Sequence, residues 1–321
     1  MNKIFLVIDG NALIHRAYHA LPGFKTHNGV LTNAVYGFAS MLLKTIDDFA
    51  PTHVCVCFDT PVKTFRKELY AEYQSHRPEM ENELSAQFPY VKEFLESAGI
   101  VHIEKAGFEA DDVIGTISRI AGEEGYKTYI LTGDKDIVQL VDKTTFVIAP
   151  KKGISDIMLY TEESALEKFG IPPHLIPELK GLMGDPSDNY KGVTGIGPKT
   201  AATLITQFNT VERIYDHLDE VVSPKTRELL EKGKESALMS QRLATILRDL
   251  ELDFSIDKCI RTPYNQSLRV FFEKLEFNTL LRRYFDSKQP AARLEKVETL
   301  RQAQDKQAQD EKEKTDQLDL F

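Results

Sequence analysis

The sequence predicts an α/β protein, a mostly parallel central sheet flanked by helices, followed by a helical region. Three observations carry this reading. Apolar, β-branched runs end on acids in IFLVIDGN (4–11), HVCVCFDT (53–60) and KTYILTGD (127–134), as buried parallel strands do. Segments of helical spacing lie between them, so strand and helix alternate to about residue 180. Beyond that point only the helical pattern continues.

In chain order, NAVYGFASMLLKTIDDF (33–49) has the apolar spacing of a helix that follows the first strand. Residues 61–97 are charged, aromatic and interrupted by prolines, and read as a partly helical excursion standing off the sheet. FEADDVIGTISRIAGEEG (108–125) predicts a helix that opens on three acids. From LKGLMGDPSDN onward the pattern is helical, ending near 275–286. The stretch 288–321 is charge- and Gln-rich with few apolar residues and predicts a disordered tail. The expected organisation is an α/β domain over 1–180, a helical domain over 181–287 and the tail.

Hydrophobic content of 42% and charged content of 28% suit a globular protein with a real core. The chain enters its first strand without a basic-then-apolar leader, and no apolar run reaches bilayer length, so no membrane association is expected. Three cysteines, two of them in one apolar strand, suit buried thiols and a cytoplasmic location rather than a disulfide frame. Nothing demands more than a monomer. The net charge of −9 argues at first against a nucleic-acid partner. That objection weakens if acids are committed to metal, because bound divalent ions reverse the local field.

The acids are Asp9, Asp59, Glu109, Asp111, Asp112, Asp134, Asp136, Asp185 and Asp188. Each cluster has an ordinary explanation. Glu109, Asp111 and Asp112 could favour a helix N-terminus, Asp134 and Asp136 could cap DIVQL, and GDPSDN could be a turn. Their recurrence at the ends of successive elements outweighs those readings, since ligands of open α/β sheets bind beyond the carboxyl ends of the strands. So many carboxylates in one volume need a counter-charge, and Mg²⁺ or Mn²⁺, two or more ions, suits oxygen donors. Paired ions about 4 Å apart serve phosphodiester hydrolysis, one activating water and the other stabilising the leaving oxygen.

GVTGIGPKTAATLI (192–205) adds a second signal. Gly195 and Gly197 flank Ile196, and Pro198 opens a helix whose first turn carries Lys199 and Thr200. Backbone N–H groups there can approach a phosphate, and the segment resembles a helix-hairpin-helix that binds DNA without sequence preference.

Together IDGNALIHRAYHA, FDTPVKTFRKELYAEY, GFEADDVIGTI, LTGDKDIVQL, GDPSDN and GVTGIGPKTAA closely resemble the 5′ nuclease domain of bacterial DNA polymerase I, of the flap-endonuclease superfamily. The resemblance covers about residues 1–286 with the motifs in the family's order. It implies a PIN-like or resolvase-like sheet and metal-dependent release of 5′ nucleotides and short flaps from branched or nicked DNA, as in primer removal and repair. Asp9, Asp59, Glu109, Asp111 and Asp112 match one ligand group, and Asp134, Asp136, Asp185 and Asp188 match the second. K⁺ at the helix-hairpin-helix is also implied. The excursion at 61–97 matches an arch that passes a single strand, where Phe65, Arg66, Lys67, Tyr70, Tyr73, His76 and Arg77 suit stacking and phosphate contact.

Two departures stand out. The family's arch reads Tyr-Lys-x-x-Arg, with the Lys at the scissile phosphate. Here it is Tyr73-Gln74-Ser75-His76-Arg77, so Gln74 can donate a hydrogen bond without offsetting charge. Slower chemistry with retained binding is expected unless His76, Arg66 or Lys63 supplies the charge. A DNA-binding protein with weakened catalysis is the alternative reading. Second, no polymerase module follows, which reads as a standalone nuclease or a detached domain. The terminal Gln317-Leu318-Asp319-Leu320-Phe321 resembles the short peptide by which bacterial replication proteins dock on the sliding clamp, with Leu320 and Phe321 as anchors.

Overall fold

The computed structural model describes residues 3–150 and 157–286. β1 (Ile4–Asp9) is buried along its whole length. It leads into α1 (Gly10–Ala20), α2 (Asn33–Phe49) and β2 (His53–Phe58). Then come α3 (Phe65–Leu69), α4 (Asn82–Ser85), α5 (Phe88–Ala98), β3 (Val101–Glu104), α6 (Ala110–Glu123) and β4 (Lys127–Leu131). A 3₁₀ turn at Asp136–Leu140 precedes β5 (Thr145–Pro150), β6 (Ile157–Tyr160) and α7 (Glu162–Phe169). The remaining helices are α8 (Ile176–Met183), α9 (Pro198–Phe208), α10 (Val211–Asp216), α11 (Pro224–Ala244), α12 (Gln266–Lys274) and α13 (Asn278–Leu281).

The sheet runs β3-β2-β1-β4-β5-β6, parallel except for the β5–β6 pair. β1 is therefore central, and alternate residues feed two cores as the pleat requires. Phe5 and Val7 pack with Val113, Ile114 and Ile117 of α6. Leu6 and Ile8 pack with Phe38 and Leu42 of α2 and Phe94 of α5. The strand order reverses beside β1, and there β1, β2 and β4 end together.

Two expectations change. The excursion does not extend to residue 97: Val91, Phe94 and Leu95 of α5 are fully buried against α2 and α12, which makes α5 a layer of the α/β unit. Nor is 181–287 one helical unit. From Thr245 the chain returns along α6, where Leu247 N–H donates to Asp112 and Leu250 N–H to Thr116. α12 and α13 then bury Phe271, Phe272 and Leu280 in the core that α2 and α5 share. The apolar spacing of 266–281 indicated a helix face to be covered, and only the fold shows that the sheet's flanking layer covers it.

All three cysteines are free and buried. Among the described residues no helix is long and apolar enough to cross a membrane.

Candidate active site

Four strand-end or helix-start segments and the 185–190 loop converge on a cleft of about 910 Å³ lined by Asp9, Asp59, Glu109, Asp111, Asp134 and Asp188. Asp9 ends β1 and is buried. It caps α1 by accepting from Ala12 N–H at 2.9 Å, and it accepts from the Thr132 hydroxyl at 2.7 Å. Asp59 follows β2 at the cleft edge, where its N–H donates to Asn11 and its carboxylate takes Ala110 N–H at 2.7 Å. Asp134 follows β4, held by its own N–H on Thr132 and accepting from Asp136 N–H. Asp111 points into the cleft from the first turn of α6, and no hydrogen bond reaches its carboxylate among the described residues.

The cleft is electrostatically costly as it stands. Burial pushes the Asp9 carboxyl up to about 7, against hydrogen bonds from Ala12 and Thr132, and Asp59 and Asp134 add repulsion. Burial, then the neighbouring acids, also lift Glu109 to about 7 and hold Asp111 well above the usual carboxylate range.

Three predicted site residues are buried rather than open in the cleft. Asp112 is fully buried and lines no part of the cleft. Its oxygens receive Arg66 Nη1 and Nη2 at 2.7 and 2.8 Å and the N–H groups of Glu109 and Leu247. Arg66, read as catalytic, is equally buried, with Nε on Leu243 O and Nη2 on Thr245 O. It holds the acids and the end of α11, and its guanidinium is taken up by these protein groups. Tyr73, read as a DNA contact, is 4% exposed, stacks on Tyr190 with centroids 6.3 Å apart, and turns its hydroxyl to Glu109 and Asp188. What little of it is exposed lines the cleft wall. The shared cause is that 65–77 folds down onto the site, which an alternation of aromatic and basic residues does not reveal.

Three of the four acids of the second group are brought together, while the fourth, Asp134, lines the cleft with the first group. Asp136, Asp185 and Asp188 bring ligand oxygens within 4.8 Å of one another. GDPSDN forms a tight loop, closed by an Asp185–Tyr190 backbone bridge and by Ser187 N–H on Asp185. Gly192 lets that loop close: a Cβ there would lie 2.2 Å from Leu182 O. Lys180 of α8 bridges Asp136 and Asp185. Asp185 resists burial through these hydrogen bonds and stays below its ordinary range, whereas burial and Asp134 lift Asp136 to about 6. Gln74 donates to Asp188 Oδ1 at 3.0 Å, and Arg77 pairs with the same oxygen. Asn189 completes the clamp by donating to Glu72 O and Ser75 Oγ. His76 is exposed beside them.

A second lobe of about 830 Å³ adjoins the first, sharing Ala12, His15, Asp134 and Arg77, and its wall includes Arg16, His19, Lys135 and Lys180. Sequence reading missed this basic wall. His15 and His19 are four apart on α1 and a spacing argument could have found them. Lys180 carried no signal, since its relation to Asp136 exists only in three dimensions.

Gly195 stands at φ +89, the left-handed region glycine favours, and turns the chain into α9 with Pro198 at its start. Gly195, Gly197, Lys199 and Thr200 are all exposed, with the helix N-terminus open to solvent. Gln317 to Phe321 lie outside the described residues.

Residues 4–170 match the family described as 5′-3′ exonuclease, N-terminal resolvase-like domain, and residues 171–267 match 5′-3′ exonuclease, C-terminal SAM fold. DNA polymerase I of Bacillus subtilis is 43% identical over 282 residues, 88% of this chain and 32% of that protein. DNA polymerase I of Mycobacterium bovis is 38% identical over 285 residues, again 88% of this chain and 31% of the relative. The chain thus spans about a third of the length of these curated relatives. Among solved structures, the T5 D15 protein co-crystallised with metal ions aligns with a TM-score of 0.64 at 21% identity, covering 85% of this chain and 98% of that one. The catalytic core of Rad2 in complex with DNA substrate aligns at 0.57 and 18% identity, covering 88% and 92%. These two likenesses show the fold, a mostly parallel sheet with flanking helices and a helical extension. Two consecutive family matches over most of the described chain decide the rest: this chain belongs to the 5′-3′ exonuclease family.

Proposed function

We propose that the chain is a divalent-metal-dependent 5′-3′ exonuclease and flap endonuclease that hydrolyses phosphodiester bonds in branched or nicked DNA, in the setting of primer removal and repair. The observation that carries this is the convergence of Asp9, Asp59, Glu109, Asp111 and Asp134 on one cleft, where the carboxyls of Asp9, Asp59, Glu109 and Asp111 are pushed above their ordinary range. A divalent cation fits that donor set. The groups are all hard oxygens, no hydrogen bond or ion pair reaches the Asp111 carboxylate among the described residues, and positive charge relieves the repulsion.

Asp9, Asp59, Glu109, Asp111 and Asp134 would hold one Mg²⁺ or Mn²⁺, directly or through water, and Asp136, Asp185 and Asp188 a second. When bound, the ions supply Lewis acidity and an ionised water next to the scissile phosphate. The chain's own residues do the rest. Arg66 keeps Asp112 and Glu109 in place, Thr132 and Ala12 orient Asp9, and Gln74 and Arg77 stand beside Asp188 where they can turn to a phosphate. His15, Arg16, His19 and Lys135 line the neighbouring lobe and would guide the phosphate chain. Lys199, Thr200 and the N–H groups at the start of α9 would hold duplex backbone, with K⁺ at the hairpin carbonyls. The T5 D15 neighbour described as a flap endonuclease complex with DNA and metal ions, TM-score 0.62, is consistent with this use of the fold.

One observation keeps a second reading in play. Gln74 is already spent on Asp188 and brings no charge, as weakened catalysis with retained DNA binding would require. Incubation with Mg²⁺ and a 5′-labelled flap, a nicked duplex and an RNA hairpin separates the cases. Cleavage of the first two, abolished by chelator, is expected; tight flap binding without cleavage would favour the second reading. Docking of the 317–321 peptide on a bacterial sliding clamp belongs to the same proposal, and a peptide that does not bind purified clamp in titration removes it.

A further inference from the structure

Asp136, Asp185 and Asp188 have their oxygens close enough to share an ion, yet every one of the three already has a cation from the protein. Lys180 sits between Asp136 and Asp185 with one ammonium on both, and its side chain is only 14% exposed. Arg77 takes Asp188 together with Gln74. The other group is different. None of the ion pairs among the described residues involves Asp9, Asp59, Asp111 or Asp134, although they crowd one cleft.

An ammonium seated between Asp136 Oδ1 and Asp185 Oδ2 competes with a divalent cation entering the same gap, because both draw on those oxygens and repel each other. We propose that Lys180 is a resident counter-ion that must leave the Asp136–Asp185 gap before a divalent cation enters the second site, and that substrate phosphate draws it out. Metal loading at that site is then coupled to DNA binding, while the first site loads without substrate. The inference rests on the nuclease reading above and concerns when the second site fills.

The surroundings allow the exchange. Lys180 lines the 830 Å³ lobe whose wall also carries His15, Arg16, His19, Arg77 and Lys135. A phosphate entering there gives the flexible lysine a new anion within reach of its four-carbon stem. Arg77, with 52% of its side chain exposed, can make the same move from Asp188. Phosphate takes the protein's cations and the ion takes their carboxylates, so no buried charge is stranded at either end. By linkage the effect is reciprocal: an ion at the second site tightens DNA binding by the same factor. Lys180 is a positioning residue in this scheme, acting through the acids.

The test is calorimetric titration of the full chain with Mn²⁺, with and without a short 5′-phosphorylated single-stranded oligonucleotide of nuclease-resistant linkages. Wild type should show one tight and one weak class of site, the weak class tightened about tenfold or more by the oligonucleotide. Lys180→Met should tighten the weak class without oligonucleotide and lose most of the enhancement, and Lys180→Arg should retain wild-type behaviour. Lys180→Gln replaces the methionine variant if that one does not fold, with the same readout. A weak class unmoved in Lys180→Met, or an enhancement that survives there, overturns the proposal. Wild type that binds no Mn²⁺ in either class would instead bring down the nuclease reading itself.

Discussion

Gln74 adopts φ +53, uncommon for a residue with a Cβ, and is held there by its N–H on Asp188 O and its side chain on Asp188 Oδ1. A cation at this position would stand within reach of a phosphate bound near Asp188. Gln74→Lys is therefore expected to raise the single-turnover rate of flap cleavage by about tenfold, the scale of one charge-stabilising contact. An unchanged rate would dismiss a catalytic role for the position. Arg66 and Asp111 form a contrasting pair. Removing the guanidinium with Arg66→Met strands Asp112 and Glu109 as buried charges, and should cost about 3–5 kcal/mol of stability in urea unfolding. Asp111 has no hydrogen-bond or ion-pair partner among the described residues, so Asp111→Asn should leave the metal-free protein as stable or more so while cutting cleavage by about a hundredfold or more. If the two variants lost stability equally, their division into structural and metal-facing roles would be wrong.

At the level of elements, the hairpin before α9 makes a separate statement. A Cβ at Gly195 would require left-handed backbone and approach Leu229 Cδ1 to 3.1 Å. Gly195→Ala should weaken duplex binding while leaving the acid cleft, which belongs to other elements, able to bind Mn²⁺. Lys199 is exposed on the first turn of α9 and should act as a phosphate contact without base preference. Lys199→Ala is expected to lower duplex affinity evenly across sequences and to reduce the salt-dependence slope by about one, read by anisotropy against salt concentration. A slope unchanged by the substitution would place the duplex elsewhere.

For the molecule as a whole, the acids tie stability to pH and to metal. Asp9 and Glu109 sit at about 7 and Asp136 at about 6, all above their unfolded values. The folded state therefore binds more protons, and the stability these groups contribute is full below their unfolded pKa and is lost as pH rises through 6 to 7. Asp185 is lowered and works the other way at acid pH, but it is outnumbered. In EDTA the melting temperature should fall by about 5 °C or more between pH 5.5 and pH 8, and added Mg²⁺ should restore more at pH 8 than at pH 5.5. A metal-free protein equally stable at both pH values would contradict the crowding of these carboxyls.

Sequence alone determined the sheet, the helices that alternate with it and the acids that end its strands. Period and composition are local properties, and Ile4–Asp9, His53–Phe58 and Lys127–Leu131 declare theirs within a few residues. It also exposed the hairpin, because Gly195 and Pro198 act on the backbone next to them. Tertiary structure decided which acids face the cleft. Asp111 and Asp112 are neighbours in the chain and nearly equivalent on paper, yet their side chains leave α6 about 100° apart, so one meets the cleft and the other meets Arg66. It decided as well that α5 and α12 share a core, and that Lys180 stands between Asp136 and Asp185. These are pairings across long separations, and no local pattern specifies which buried charge will find which partner.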